Sequence, residues 1–470
     1  MKRETINRLR AIVGQDQLTT TAEDLLCYSY DGTGREFPPE AVAFPGDAAQ
    51  ISAIMKLANA TPFAVVPRGA GSGMTGGALP VAGGLVLAMS RLNRILEIDE
   101  ENQVAVVEPG VITGDFQAAL RPRNLFYPPD PASLKFCTLG GNVAECAGGP
   151  SAVKYGVTRD YLLGLEVVMP DGRIIKTGVR TAKGVVGYDL TRLFAGSEGT
   201  LGIITKIIVK LIPLPACKDT FLILCSSINQ AASLVAEILA QHRPCTLEYM
   251  DRTAISIVRD KLPFPLPPAT EALLLLEVDG DRDSVAGQSR LLLQFLRDKK
   301  NILEVKKAEN NDQVAALWSA RRGVSPAAFE LKPDKTGEDV VVPRSKIPQL
   351  VAFIETLAAR HKLVIFTFGH AGDGNIHVNI MLDKKNTEEL ESSRKAKKEL
   401  FDRVLELGGT LSGEHGIGIT KSEFLPLEIN EASMEVMLGI KKLFDPNNIL
   451  NPGKIFPTGG QSPMQPKNNI

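Results

Sequence analysis

Apolar and polar positions follow different rhythms in the two halves of the chain. Up to about residue 215 the apolar residues come in short β-type runs: Pro62–Pro67 (PFAVVP), Gly84–Met89 (GLVLAM), Gln103–Glu108 (QVAVVE) and Gly164–Met169 (GLEVVM). Gly, Pro, Asn and Asp punctuate them, which predicts strands joined by turns. Within this stretch Ala48–Asn59 has a longer period. Ile51, Ile54, Met55 and Ala58 fall on one face, which predicts a helix. The Pro-containing Ile212–Ala216 (IPLPA) marks a boundary. Beyond it the two periods alternate. Helices are expected over Asn229–Gln241, Asp283–Lys299 and Asn386–Leu407, and strands over Ala272–Val278 (ALLLLEV), Leu363–Phe368 (LVIFTF) and Ile376–Met381 (IHVNIM). The pattern predicts an α+β architecture, a sheet covered by helices.

Composition narrows the function classes. A chain of 470 residues exceeds one hydrophobic core, so two or three domains are expected. Lys and Arg total 53 against 54 Asp and Glu, which gives no electrostatic case for nucleic acid. The N-terminal MKRETINRLRAIVGQDQL has no apolar run of signal-peptide length, and no stretch is long and apolar enough to span a membrane. The six cysteines, Cys27, Cys137, Cys146, Cys217, Cys225 and Cys245, include no C-x-x-C pair. That spacing argues against an iron–sulfur cluster or structural zinc and for reduced thiols in a cytoplasmic protein. There is no internal repeat and no coiled coil. Residues 457–470 are polar and rich in Pro and Gly, and read as a flexible tail.

Glycine brings in the first candidate chemistry. Pro67–Gly77 (PRGAGSGMTGG) follows the strand PFAVVP directly. Its glycines let successive backbone N–H groups turn toward an anion such as the pyrophosphate of a dinucleotide. Gly71, Gly73 and Gly76 have G-x-G-x-x-G spacing, but the breaker-rich GGALPVAGG that follows cannot continue as a helix, so this is no Rossmann fingerprint. It lacks G-K-[S/T], so it is no P-loop either. Leu139–Pro150 (LGGNVAECAGGP) and Ala195–Thr205 (AGSEGTLGIIT) are further glycine-rich segments in the same region. Three such loops permit close backbone approach to one large ligand.

Histidine brings in the second. Three of the five histidines lie in Phe368–Met381 (FGHAGDGNIHVNIM) and Thr410–Gly418 (TLSGEHGIG). The Asp-Gly turn between His370 and His377 can bring both imidazoles to one rim of a sheet. In the strand that follows, Ile376, Val378 and Ile380 take one face, and His377 and Asn379 the other. Two imidazoles and a carboxylate, here Glu414, form a common ligand set for zinc or a similar divalent ion. The neighbouring His415 is left for proton chemistry. The alternative is a pair of histidines satisfied by hydrogen bonds in a turn.

The ordered motifs PRGAGSGMTGG, GGNVAECAGGP, AGSEGTLGIIT, GHAGDGNIHVN, SGEHGIG and NPGKI resemble those of the FAD-linked oxidases of the vanillyl-alcohol oxidase type. Within them the likeness is to the glycolate oxidase D-subunit, D-lactate dehydrogenase and D-2-hydroxyglutarate dehydrogenase group. It spans about residues 35–456. The resemblance implies an α+β chain with a split FAD-binding domain of the p-cresol methylhydroxylase (PCMH) type at 1–215. A substrate or cap domain would follow at 216–410, and 411–456 would return to the flavin. It implies that Arg68, Gly69, Ala70, Gly71, Ser72, Gly73, Met74, Gly76 and Gly77 wrap the pyrophosphate. Gly140, Gly141, Asn142 and Gly148 would line the flavin, with Glu198, Gly199, Gly202 and Ile204 completing the pocket and Asn451 reaching it from the C-terminal segment. The metal ligands fall on His370, His377 and Glu414, the base on His415 and a substrate contact on Asn379. Trp318–Pro326 (WSARRGVSP) resembles the segment whose arginine and hydroxyl hold the substrate carboxylate, here Arg321 and Ser325.

One position departs from the pattern. The D-2-hydroxyglutarate enzymes have a lysine two residues before the D-x-x-x-P segment, matched here by Asp339–Pro343, and this chain has Gly337. The departure favours a small monocarboxylate, D-lactate or glycolate. The expected reaction is hydride transfer from a small D-2-hydroxy acid to flavin N5, giving the 2-oxo acid. No histidine lies in the glycine loops, so FAD is expected to be non-covalent, beside a divalent zinc, manganese or iron ion. Electrons must then leave to a separate acceptor: an electron-transfer flavoprotein, an iron–sulfur subunit or a quinone. The competing readings are an electron-relay subunit without its own substrate, a D-2-hydroxyglutarate dehydrogenase, a non-redox FAD enzyme of the same fold, and a metal protein without flavin.

Overall fold

The computed structural model describes residues 1–300 and 302–457, so the expected flexible tail lies, from residue 458 onward, outside the described residues. Among the described residues the strands form sheets of four, five, two and seven strands. In the first sheet Ala41–Ala43, Leu85–Ala88 and Val65–Arg68 run parallel. The helix Ala48–Ala60 connects two of them. It starts where the Asp47 side chain accepts the Gln50 N–H at 2.8 Å, and it buries Ile51, Ile54, Met55 and Ala58 against the sheet. The second sheet is antiparallel, in the order Ile95–Asp99, Val104–Val107, Ile203–Lys210, Leu162–Val168, Ile174–Gly178.

The third large sheet runs Ile302–Lys307, Cys217–Cys225, Ala272–Gly280, Thr246–Asp251, Val364–His370, Asn375–Leu382, Asp334–Val341, every neighbour antiparallel. Helices Ile228–Gln241, Arg282–Arg297, Ile347–His361 and Thr387–Glu406 bury one face, into which Ile376, Val378 and Ile380 project. On the other face Arg252–Val258 and Asn311–Ala327 cover Met250, Phe366, Phe368 and Met381. Cross-strand pairs share a face, so the pairs His377–Asp339 and Asn379–Gly337 lie on this second face, alongside the Met381–Lys335 pair. The chain then turns back. After the helix Glu431–Phe444, Ile449 and Leu450 enter the core of the first sheet, where the Val65 N–H donates to the Ile449 carbonyl and the Asn451 N–H to the Val65 carbonyl, both at 2.8 Å. The Asp445 carboxylate fixes the bend by accepting the Ile449 and Leu450 N–H groups and the Lys441 ammonium.

Candidate active site

A cavity of about 730 Å³ lies between the loops of the first two sheets and the polar face of the seven-stranded sheet. Arg68, Gly69, Ala70, Gly71, Ser72, Gly73, Met74 and Gly77 line it, with Gly140, Gly141, Asn142, Glu198, Gly199, Gly202 and Ile204. Gly71 has φ +68°, and a Cβ there would strike the Arg68 guanidinium. Arg68 is buried. Its Nη2 donates to the Tyr30 carbonyl at 2.7 Å, while its Nη1 has no hydrogen-bond partner among the described residues. A buried cationic N–H left open beside a glycine nest fits the pyrophosphate of FAD.

Three glycine-motif residues lie outside the cavity lining and do other work. A Cβ at Gly76 would meet Ile419, so the glycine lets two loops approach. The Gly148 N–H donates to Glu414 Oε2 at 3.2 Å. The Asn451 side chain donates to the Gly77 and Glu198 carbonyls at 2.9 and 2.8 Å, pinning two loops to each other. The Glu198 carboxylate is likewise spent inside the protein, accepting the Ile417 and Gly418 N–H groups at 2.8 and 2.7 Å.

His370 closes the strand Val364–His370, and His377 stands near the start of Asn375–Leu382. The tight turn between them sets the rings 5.1 Å apart, nearly perpendicular. Glu414 Oε1 lies 3.3 Å from His370 Nε2 and 3.7 Å from His377 Nε2, and one ligand atom from each of the three residues lies within 4.8 Å of the others. His370 Nδ1 is 2.7 Å from Glu248 Oε1, and the other oxygen of Glu248 pairs with Arg321 at 2.5 Å. A carboxylate behind an imidazole fixes its orientation for a metal. Burial raises the Glu414 carboxyl, but the three neighbouring imidazoles outweigh it and bring it down to about 2. Burial, His370 and His415 hold His377 well below its usual range, hence neutral. For His370 burial is outweighed by the Glu248 and Glu414 carboxylates, which draw its pKa well up. Two imidazoles and the Glu414 carboxylate around one point, with Glu248 behind one imidazole, form a donor set that fits a divalent cation.

Asp339 organises this corner, a role that its place at the head of the D-x-x-x-P segment did not disclose. Its Oδ2 accepts the backbone N–H groups of Gly413, Glu414 and His415 at 2.9, 2.7 and 3.0 Å, and its Oδ1 meets the buried Lys421 ammonium at 2.5 Å. Oδ1 also lies 3.4 Å from His415 Nδ1. The His415 ring stacks on His377 at 5.4 Å. With Nδ1 turned to a carboxylate, Nε2 is the atom left for a substrate proton. Burial favours the neutral form of Asp339, but His415 and Lys421 prevail and keep it ionised far below its usual range.

Arg321 and Ser325 sit on the helix Asn311–Ala327 and line the cavity with Asn379. Arg321 is buried, not on a solvated face. Its guanidinium lies 4.6 Å over the Phe368 ring, and its Nε has no hydrogen-bond partner among the described residues. Ser325 Oγ accepts from Lys335 Nζ at 2.6 Å, a residue that spacing alone did not single out.

Two families match the chain: the FAD binding domain over residues 39–178 and the C-terminal domain of FAD linked oxidases over residues 214–455. The chain is 44% identical over 451 residues to "Glycolate oxidase subunit GlcD" of Bacillus subtilis, covering 96% of each. It is 35% identical over 433 residues to a "D-lactate dehydrogenase" of Anaerostipes hadrus, covering 89% of each. Among solved structures, p-cresol methylhydroxylase superposes with a TM-score of 0.81 at 17% identity, covering 96% of each chain. That likeness shows the fold, an α+β arrangement of the PCMH type.

Proposed function

The chain belongs to the FAD-linked oxidase family, and from that premise we propose that it is a FAD- and divalent-metal-dependent dehydrogenase of small D-2-hydroxy acids. Glycolate and D-lactate, the substrates named in its relatives, are the first candidates. The product is the 2-oxo acid, and the electrons pass to a separate protein or quinone. The observation that carries the reading is the convergence of His370, His377, Glu414 and His415 on the same cavity as the glycine loops. Bound there, non-covalent FAD supplies the two-electron acceptor, and a zinc, manganese or iron ion supplies Lewis acidity.

The chain's own part is positioning and proton transfer. His370, His377 and Glu414 hold the ion. Arg321, which lines the cavity, would meet the substrate carboxylate, and the Asn379 amide would add a second polar contact. His415 Nε2 takes the hydroxyl proton, while Asp339 at Nδ1 stabilises the imidazolium that results. Phe368, Trp318 and Ile204 line the cavity and limit water.

The test is anaerobic reduction of the bound flavin by a panel of D- and L-2-hydroxy acids. D-lactate or glycolate should bleach the flavin absorbance, and L-lactate should not. A holoenzyme that no member of the panel bleaches would sink the reading in favour of an electron-relay subunit. His370→Ala should lower bound metal and turnover together while FAD stays in place. A fully active His370→Ala enzyme would remove the metal from the account.

A further inference from the structure

One acidic side chain of the flavin cavity has no task in the chemistry proposed so far. Glu145 ends the helix Leu139–Glu145 and lines the cavity together with Glu198 and His415. Its carboxyl makes no hydrogen bond and no ion pair among the described residues, and its Oε2 is buried. The room it occupies is made of glycines. A Cβ added at Gly416 would lie 2.5 Å from Glu145 Oε2, one at Gly77 2.8 Å from Oε1, and one at Gly73 3.9 Å from Oε1. Gly77 does not have the left-handed backbone that would itself demand a glycine, and among the chain's own atoms it is the Glu145 carboxyl that leaves no space for a side chain there. Bare positions from two separate motifs thus surround one carboxyl group.

The surroundings oppose a negative charge on it. The point 2.5 Å from Glu145 Oε2 is also 3.0 Å from Glu198 Oε1, so two carboxyl groups face each other across Gly416. Glu198 accepts the Ile417 and Gly418 N–H groups, which favours the charge on that member of the pair. Asp31 and Asp339 add further negative charge, and Lys454, the cation that acts on Glu145, spends its ammonium on the Gly77 and Leu79 carbonyls and on Asn451 Oδ1. Burial first and Glu198 second hold the Glu145 carboxyl well above the usual carboxylate range. A neutral carboxyl carries an O–H to donate. A buried donor without a partner in the chain calls for an acceptor on its open side, which here is the cavity.

Position says which part of FAD that acceptor is. Hydride leaves the carbon whose hydroxyl gives its proton to His415, so the reacting edge of the flavin stands beside His415. Gly416 is the next residue, and Glu145 is packed against it. The pyrophosphate is already matched by Arg68 and the first glycine loop.

We propose that Glu145 donates its carboxyl O–H to the isoalloxazine ring and thereby stabilises the negative charge that the ring gains with the hydride. The proton stays on Glu145, and no bond to it breaks. A donor fixed in advance where charge develops acts without reorganisation. The proposal rests on the FAD part of the functional reading and on neither the substrate nor the metal, so its test uses no substrate. FAD-loaded wild type, Glu145→Gln and Glu145→Leu are titrated anaerobically with dithionite against a reference dye to give the midpoint potential of the bound flavin. Glu145→Gln, which keeps a donor, should leave the two-electron reduction equilibrium within threefold of wild type. Glu145→Leu should lower it at least tenfold, about 30 mV. A rise of tenfold or more in Glu145→Gln would mark an ionised Glu145 and overturn the proposal, and so would an unchanged or raised equilibrium in Glu145→Leu. If Glu145→Leu does not retain FAD, Glu145→Ala takes its place. Infrared difference spectra of oxidised minus reduced wild type give a second readout. The carbonyl band of a protonated carboxyl should shift on reduction and be missing from Glu145→Gln, and identical spectra in this region would overturn the proposal. A wild-type chain that binds no FAD contradicts the functional reading as well, whereas one that binds FAD but is reduced by no hydroxy acid contradicts that reading alone.

Discussion

At the scale of single residues, the parts of the site that were legible carry chemistry in their own side chains. His370, His377, Glu414 and His415 stand in short glycine-rich motifs, and few other reasons exist for so many histidines there. Asp339 was not legible, because its work is to receive three N–H groups from a loop more than 70 positions later in the chain. Asp339→Asn should therefore act twice. It weakens the acceptor at His415 Nδ1, and it leaves the buried Lys421 with only the more distant Glu338 carboxylate, at 3.9 Å, as a charge partner. The expected losses are about 10²-fold in kcat and about 3–5 kcal/mol in stability, read by stopped-flow flavin reduction and denaturant unfolding. Normal kcat with normal stability would remove Asp339 from its organising role. Lys335 makes a prediction of opposite sign. Its pKa is drawn from 10.5 to about 8, so between those values the unfolded chain holds the proton and the folded chain does not. Stability should therefore rise with pH across that window, and below about 8 the folded state bears the whole burial cost. Lys335→Met should be more stable than wild type by about 1–3 kcal/mol at neutral pH, the residual solvent exposure of the lysine keeping the gain below the full shift. The advantage should shrink as pH approaches 10.5. A variant of equal or lower stability at pH 7 would contradict the burial argument.

At the scale of elements, periodicity was most informative where a segment has one apolar face and no task. The helices Ala48–Ala60 and Thr387–Glu406 and the strand Ala272–Gly280 lie where the pattern puts them, within a few residues. The strand Asp334–Val341 (DKTGEDVV) escaped the same reading. It turns Lys335 and Gly337 to the chamber and Asp339 to the loop Gly413–His415, so its alternation resembles a polar loop. The helix Asn311–Ala327 hides similarly behind the polar run that carries Arg321 and Arg322. The clasp between the first glycine loop and the segment His415–Ile419 was invisible for another reason, since all but one of its groups are backbone. Thr75 Oγ donates to the His415 carbonyl at 2.9 Å, and the Ile419 N–H donates to the Thr75 carbonyl at 2.8 Å. Gly418, at φ +51°, allows this approach, and a Cβ there would strike the Thr75 carbonyl. Gly418→Ala should lower stability by at least about 1 kcal/mol and speed FAD loss, measured by thermal unfolding and by the rate at which free flavin fluorescence appears. An unperturbed variant would show that the clasp does not hold the flavin loops to the catalytic segment.

At the scale of the whole molecule, the fold separates two jobs and then joins them. Loops of the first two sheets supply the glycine nests, and the seven-stranded sheet supplies two histidines, an asparagine and a lysine. The segment Gly413–Ile419 touches both, through Glu414 to His370 and through Gly418 to Glu198. The order of motifs along the chain suggested such a joint site, but the face on which the lysine stands emerges only from strand register. Because the proposed metal ligands are largely distinct from the flavin loops, the account's central claim has a direct test. The holoenzyme is stripped of divalent ions with a chelator, and anaerobic flavin reduction by D-lactate and glycolate is followed before stripping, after it, and after reloading with zinc, manganese or iron. The account predicts reduction at least 100-fold slower after stripping, recovery on reloading with at least one ion, and unchanged FAD content throughout. Undiminished reduction by an enzyme verified to be metal-free would contradict it.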